Sequence, residues 1–225
     1  GVTAFYLDDV SVEVCDGGTP PPEPPPGPPP SPCFPQFLEE VEVGDAPHGV
    51  AVNSARNQLL VANHDDDTLS VINSETYAVS STITIGGGPN GVAYNAANDN
   101  IYVANRNDNT VTVLRAGDLG LVETVDVGAQ PNGLAANAAT NRVYVANYGT
   151  GTVSVIEGTN QTVEQTIAVG SQPAMVVVNP VTSKAYVSLH GEGAVAVIDG
   201  SGSVKRVDIY SGAPYGIAVD TVRNL

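Results

Sequence analysis

His48, His64 and His190 are the three imidazoles of the chain. Imidazole titrates nearest to neutral pH and is the commonest protein metal ligand, so these residues are the first to weigh for chemistry. Asn90, Arg106, Asn132, Tyr148 and Tyr215 occupy matching places in the text around them. Arginine brings a fixed cation with a fork of donors, tyrosine a ring and a hydroxyl, asparagine a donor and an acceptor. Such a set suits a polar ligand, and histidine with carboxylate suits a metal. Asp65, Asp66 and Asp67 follow His64 directly, but three consecutive carboxylates cannot all face one calcium ion. Asp, Asn and Gly also recur in these stretches because tight turns select them. There is no Gly-x-Ser-x-Gly elbow, no Gly-rich phosphate loop ahead of a helix and no Cys-x-x-Cys-His haem attachment; Gly86-Gly87-Gly88 reads as a strand connection. The expectation is eight ligand-face candidates, with no catalytic residue, no metal and no cofactor.

What must position these residues is a repeat. Pro47, Pro89, Pro131 and Pro173 are each 42 residues apart, and Pro214 follows at 41. Leu60, Tyr102, Tyr144 and Tyr186 keep the same register. Self-similarity at this period means one supersecondary unit used several times. In the copy that opens at Pro131, four apolar runs are separated by turn residues: Gly133 to Asn137, Val143 to Asn147, Thr152 to Ile156 and Val163 to Val169. They are rich in Val, Ile, Thr and Tyr with partial alternation, which is strand chemistry, and no 3.6-residue pattern appears. Four strands in about 42 residues fit a β-propeller blade. The first run is the expected inner strand, since Gly133, Ala135 and Ala136 suit a crowded axis. The loops before the inner strands and the loops between second and third strands then share one face. That face holds His48, Asn90, Asn132 and Tyr215 from the first kind, and His64, Arg106, Tyr148 and His190 from the second.

The pattern Pro-x-Gly-apolar-Ala, then Tyr102-Val103-Ala104-Asn105 or Tyr144-Val145-Ala146-Asn147, then Thr-Val-Ser/Thr-Val, resembles the YVTN-type β-propeller repeat family. Leu60-Val61-Ala62-Asn63 and Tyr186-Val187-Ser188-Leu189 match it more loosely. The resemblance covers residues 37–225 and implies an all-β propeller of four-stranded blades. It does not imply one function, because related propellers occur in surface-layer proteins, haem-binding enzymes and lactonases. The tryptophan-aspartate type of propeller is disfavoured, for the chain has no Trp.

Residues 37–43, FLEEVEV, align with Leu121 to Val127 and Val163 to Val169, so they read as a lone outer strand. Gly216 to Asp220, GIAVD, reads as an inner strand at the other end. Between them lie four complete blades and a partial closing one, from which a truncated ring is expected. Ahead of the repeats, residues 1–15 hold a single alternating strand; Tyr6-Leu7-Asp8-Asp9-Val10-Ser11-Val12 resembles the end of a carbohydrate-binding jelly roll. Residues 16–36 form a proline-rich linker, with ten prolines between Pro20 and Pro32, expected as polyproline II. Cys15 and Cys33 bracket it and are disulfide candidates, although a stiff proline rod opposes direct pairing.

A net charge of −16, from 24 acidic against 8 basic residues, leaves no cationic patch for nucleic acid. No apolar run is long enough for a membrane span. Asn160-Gln161-Thr162 is a glycosylation sequon, so glycans are possible partners. The four loop sets are near-equal in length, which favours scaffold over catalyst. The expected function is an extracellular or cell-surface structural or adhesive propeller, non-enzymatic, self-associating into a fibre or surface layer through the N-terminal strand and proline arm. The alternative is a ligand-binding or lactonase-like enzymatic propeller that uses the loop face.

Overall fold

A computed structural model of the chain describes residues 40–209 and 212–221. Cys15, Cys33, the N-terminal strand and the proline-rich linker lie outside those residues, and the assembly expected from them lies outside with them. Among the described residues sixteen strands follow in chain order. The first sheet comprises β1 (Pro47–Asn53), β2 (Gln58–Asn63), β3 (Thr68–Asn73) and β4 (Val79–Thr84). The second comprises β5 (Pro89–Asn95), β6 (Asn100–Asn105), β7 (Thr110–Arg115) and β8 (Leu121–Asp126). The third comprises β9 (Pro131–Asn137), β10 (Arg142–Asn147), β11 (Thr152–Glu157) and β12 (Thr162–Ala168). The fourth comprises β13 (Pro173–Asn179), β14 (Lys184–Leu189), β15 (Ala194–Ile198) and β16 (Val204–Asp208). Each sheet is an antiparallel meander of four consecutive strands.

The expected blade register holds. Tyr102 pairs with Ala93 and Val113, Tyr144 with Ala135 and Val155, Tyr186 with Val177 and Val197, and Leu60 with Ala51 and Val71. Successive sheets stack face to face. Leu60, Leu69 and Val71 of the first pack on Ile101, Val103 and Leu114 of the second. Tyr102, Val111 and Val113 pack on Val143, Val145 and Ile156. Tyr144, Val153 and Val155 pack on Val176, Ala185 and Ile198. On β1 the equivalent face is open: Val50 and Val52 are 62% and 61% exposed, where Val92, Leu134 and Val176 are buried.

The sheets converge at their first strands, for β1, β5, β9 and β13 lie side by side in that order. The convergence is so close that a Cβ at Gly49 would collide with the Asn90 carbonyl, and one at Gly91 with the Asn132 carbonyl. At Gly133 it would lie 2.8 Å from the Ala174 carbonyl oxygen. Glycine in the Pro-x-Gly motif is thus a requirement of backbone touching backbone. In β13 the same position is Met175, and among the described residues no further strand packs against that side.

Two expected end strands are not formed. Residues 40–43 carry no strand, and neither do residues 216–220. A strand exists only where a neighbour completes its hydrogen-bond ladder, and among the described residues no such neighbour meets either segment. Gly216 shows the difference from its repeat partners, since a Cβ there would meet nothing within 4 Å.

A buried polar clasp closes the second turn of the first three sheets. Asn63 Nδ2 donates to Thr68 Oγ1 and Ser70 Oγ, both at 2.9 Å. Asn105 donates to Thr110 and Thr112 at 2.9 and 2.8 Å, and Asn147 to Thr152 and Ser154 at 3.0 and 2.9 Å. In the fourth sheet the three positions become Leu189, Ala194 and Ala196, each 0% exposed. The polar set is replaced whole, because one buried hydroxyl left without its partner costs more than an apolar core.

Replacing Gly91 by Ala should lower the unfolding free energy by about 1–3 kcal/mol, the cost of forcing a methyl into a filled space. Gly200→Ala, at a site with nothing within 4 Å of the added Cβ, should change it by no more than about 0.5 kcal/mol. Urea unfolding of the two variants makes the comparison, and equal losses would show that the inner strands are not in backbone contact.

Candidate ligand-binding site

The register of each blade puts the start of the first strand opposite the end of the second, as in Pro47 with Asn63 and Pro89 with Asn105. The loops that open each blade and the loops between its second and third strands therefore share one end, as expected. A repeated backbone bond fixes the first residue of the second loop. The amides of His64, Arg106, Tyr148 and His190 donate to the carbonyls of Ala46, Gly88, Gln130 and Gln172, at 2.9 to 3.0 Å. Those four acceptors all have a left-handed backbone, with φ between 50° and 61°, which turns the carbonyl toward the loop. Since the backbone does the holding, the side chain at this place is free to vary. It reads His, Arg, Tyr, His. None of these is a turn former, so turn chemistry does not account for them. Turn chemistry sits three residues further on, at Asp67, Asn109, Gly151 and Gly193, all with positive φ.

The candidate residues form a nearly continuous line of contacts. The rings of His48 and His64 stack with centroids 4.8 Å apart. His64 Nδ1 lies 2.9 Å from Asp65 Oδ1, which fixes that ring. The Asn90 side chain and the Arg106 charge both act on His48. The Arg106 guanidinium lies 5.0 Å from the centroid of the Tyr148 ring, a cation–π contact. Tyr148 lies 6.2 Å from His190, and His190 meets the Tyr215 ring edge-on at 5.8 Å. Asn132 Nδ2 donates to the Tyr215 hydroxyl at 3.0 Å, and Ser188 Oγ donates to the Tyr215 carbonyl at 2.8 Å. Tyr215 thus joins the site although its segment forms no strand. Asn132 Oδ1 and His190 Nδ1 are buried without a protein partner, so each has bonding capacity to offer.

Sequence reading placed these eight residues on one face but left the histidines of the first and fourth blades apart. The structure links His190 to Arg106 through Tyr148, and Arg106 reaches His48 only through its charge. It also adds Asp65 as the orienting partner of His64, which the sequence signalled only by adjacency. The other loop carboxylates are engaged elsewhere: Asp66 accepts from the Asp45 amide at 2.7 Å, Asp67 from Gly88 at 2.8 Å and Asp108 from Gly87 at 2.6 Å. Asp66 and Asp67 turn toward different loops, and no group of three metal-ligating side chains occurs among the described residues. Asn160 is exposed in the turn between β11 and β12, at the opposite end of the blade.

With this geometry established, comparison with known proteins gives a partial match to one family and a fold. Residues 74–177, a little under half of the chain, match the family described as lactonase, 7-bladed beta-propeller. The matched span contains Asn90, Arg106, Asn132 and Tyr148. Hydrazine synthase of Kuenenia stuttgartiensis superposes with a TM-score of 0.67 at 20% identity, over 77% of this chain and 52% of that one. The dihydro-heme d1 dehydrogenase NirN, in complex with DHE, superposes with a TM-score of 0.57 at 18% identity, over 71% of this chain and 36% of that one. The fold is a β-propeller. The chain spans about half or less of the length of these two solved structures. A search of curated proteins finds no match.

The expectation of a non-enzymatic protein is overturned by the match to the lactonase family model. The inference from equal loops failed for a physical reason. Loop length is set by the backbone bonds that every blade shares, and it says nothing of the side chains those bonds leave free.

Burial, followed by the neighbouring His64, holds His48 below the ordinary imidazole value; Asp65 and Asn90 oppose the shift and Arg106 adds to it. The folded state thus binds fewer protons at His48 than the unfolded chain does. Its contribution to stability is present above the unfolded value, about 6.5, and is lost as pH falls through the lower folded one. In an NMR titration His48 should show a midpoint below that of a free histidine, and His64→Ala should raise it. An unchanged midpoint in that variant would show that the two rings do not interact.

Proposed function

We propose that this propeller binds a small cyclic ester at the loop face and hydrolyses it, as a lactonase-type enzyme. The observation that carries the reading is the nearly continuous line of side chains from His48 to Tyr215. His64, with Nδ1 held by Asp65, keeps Nε2 for the proton of an attacking water. His48, favoured in its neutral form, adds no repelling charge to the histidine pair. The hydroxide so formed adds to the ester carbonyl, and Arg106 stabilises the charge that develops on its oxygen. When the ring C–O bond breaks, the proton held by His64 returns to the leaving alkoxide, and a hydroxy acid departs. Tyr148, His190 and Tyr215 wall the site, while Asn132 Oδ1 accepts from a hydroxyl of the ligand. Support comes from the family match and from the residue types; the solved neighbours support the fold.

A panel of five- and six-membered lactones assayed by pH-stat tests this. The expected result is turnover that falls at least about 100-fold in His64→Ala, the ordinary scale for loss of a general base, and also falls in Arg106→Ala. Absence of turnover across the panel, or turnover indifferent to both substitutions, overturns the proposal.

A further inference from the structure

A side chain that bridges neighbouring blades is missing between blades three and four. Asp67 Oδ1 receives the Gly88 amide at 2.8 Å and so spans the gap between blades one and two. Asn109 Oδ1 receives the Gln130 amide at 2.8 Å and spans the next gap. The third member of the series is Gly151, which has no side chain to reach with. An open groove of about 630 Å³ lies at that place, a size that suits a small molecule. Gln130, Tyr148, Gly149, Thr150, Ser171 and Gln172 line it together with Gly151.

The fold does not occupy the polar side chains of this groove. Among the described residues, the side chains of Gln130, Tyr148, Ser171 and Gln172 make no hydrogen bond. At the same end of blades one and two the loop side chains are engaged, for Asp66, Asp67, Asp108 and Asn109 each accept a backbone amide. Nor does the backbone ask for glutamine at 130 and 172. The place needs a left-handed residue whose carbonyl holds the next loop, and Ala46 and Gly88 fill it in the first two blades.

None of the lining residues is charged at neutral pH. An ion entering the groove would give up water and meet no opposite charge. The net charge of −16 opposes an anion further. A wholly apolar ligand would strip water from the polar side chains and replace none of its bonds. Glutamine amides and the hydroxyls of Ser, Thr and Tyr can each both donate and accept. The matching ligand therefore carries several uncharged hydroxyls on a small C–H frame. We infer that this groove binds a neutral saccharide ring. Its hydroxyls exchange hydrogen bonds with Gln130, Thr150, Ser171 and Gln172, and its C–H surface rests against Tyr148. Tyr148 borders both this groove and the line of candidate residues, yet the inference does not depend on ester hydrolysis.

Titration of the 15N-labelled chain with the methyl glycosides of glucose, galactose, mannose and N-acetylglucosamine provides the test, with glucuronate as the charged counterpart. The expected result is saturable displacement of the Gly149 and Gly151 amide resonances, and of the Gln130 and Gln172 side-chain amides, by at least one glycoside. Glucuronate should bind about tenfold more weakly or worse. Gln172→Ala should weaken that glycoside about fivefold, the ordinary scale for one neutral hydrogen bond. Gly151→Asn restores the residue of blade two, where Asn109 holds a φ of 60° against 69° at Gly151. It should keep a folded spectrum and abolish binding by closing the groove; if it does not fold, Gln172→Ala carries the test. Binding of no glycoside, shifts confined to other residues, equal binding of glucuronate, or undiminished binding in the folded variants each overturn the inference. Because no turnover is read, a chain that hydrolyses no lactone but binds a glycoside this way refutes only the enzymatic reading. A chain with His64-dependent turnover and no glycoside binding refutes only the groove.

Discussion

Inner strands that touch backbone to backbone set the terms for the rest of this molecule. At Gly49, Gly91 and Gly133 the neighbouring first strand lies where a Cβ would be. No larger residue fits without moving a main chain. That closeness makes each four-stranded sheet a wedge, narrow at its first strand. Stacked wedges bring the loops at one end of every blade toward a common axis. Residues far apart in sequence, such as Arg106 and Tyr215, then share a line of side-chain contacts that no single blade could provide.

Away from that contact, the blades keep their interiors by exchanging whole sets of residues. The Asn, Thr and Ser or Thr of the second turn become Leu189, Ala194 and Ala196 together. A similar exchange occurs between blades. The Tyr102 hydroxyl donates to Gln161 Oε1 of the next sheet at 2.8 Å and accepts from Asn98 at 2.8 Å. One blade earlier the two positions are Leu60 and Leu119, which belong to one apolar cluster. Inside a protein a half-satisfied polar pair is costly, so these positions change in step. The loop residues above them are under no such rule. His64, Arg106 and Tyr148 each follow directly on a clasping asparagine and are held by their own amides, which leaves their side chains available for binding.

Much of this was legible in the sequence. The prolines at 42-residue spacing gave the blades, and the Tyr-Val-Ala-Asn segments gave the second strands within a residue or two. The shared loop face followed from strand order alone, and with it the eight candidates. Other features were hidden. Left-handed backbone at Asp67 or Asn141 can be guessed from residue type, but the same conformation at Tyr77, Leu119 and Gln161 comes from a turn between third and fourth strands in which each amide donates to the carbonyl four residues back. Gly216 to Asp220 reads as a strand because its composition matches its repeat partners, yet composition cannot supply a neighbouring ladder. The equal loop lengths carry no information about enzymatic function, because they report the scaffold and not what it displays.

Adjacent loop residues in this propeller are divided between building the fold and serving the site. Asn105 ends β6 and Arg106 opens the loop after it, and the unfolding free energies of Asn105→Ala and Arg106→Ala measure that division directly. The division predicts a loss of about 1–3 kcal/mol for Asn105→Ala, which strands the buried Thr112 hydroxyl, and a change within about 0.5 kcal/mol for Arg106→Ala. Equal losses, or a larger loss at Arg106, would contradict it.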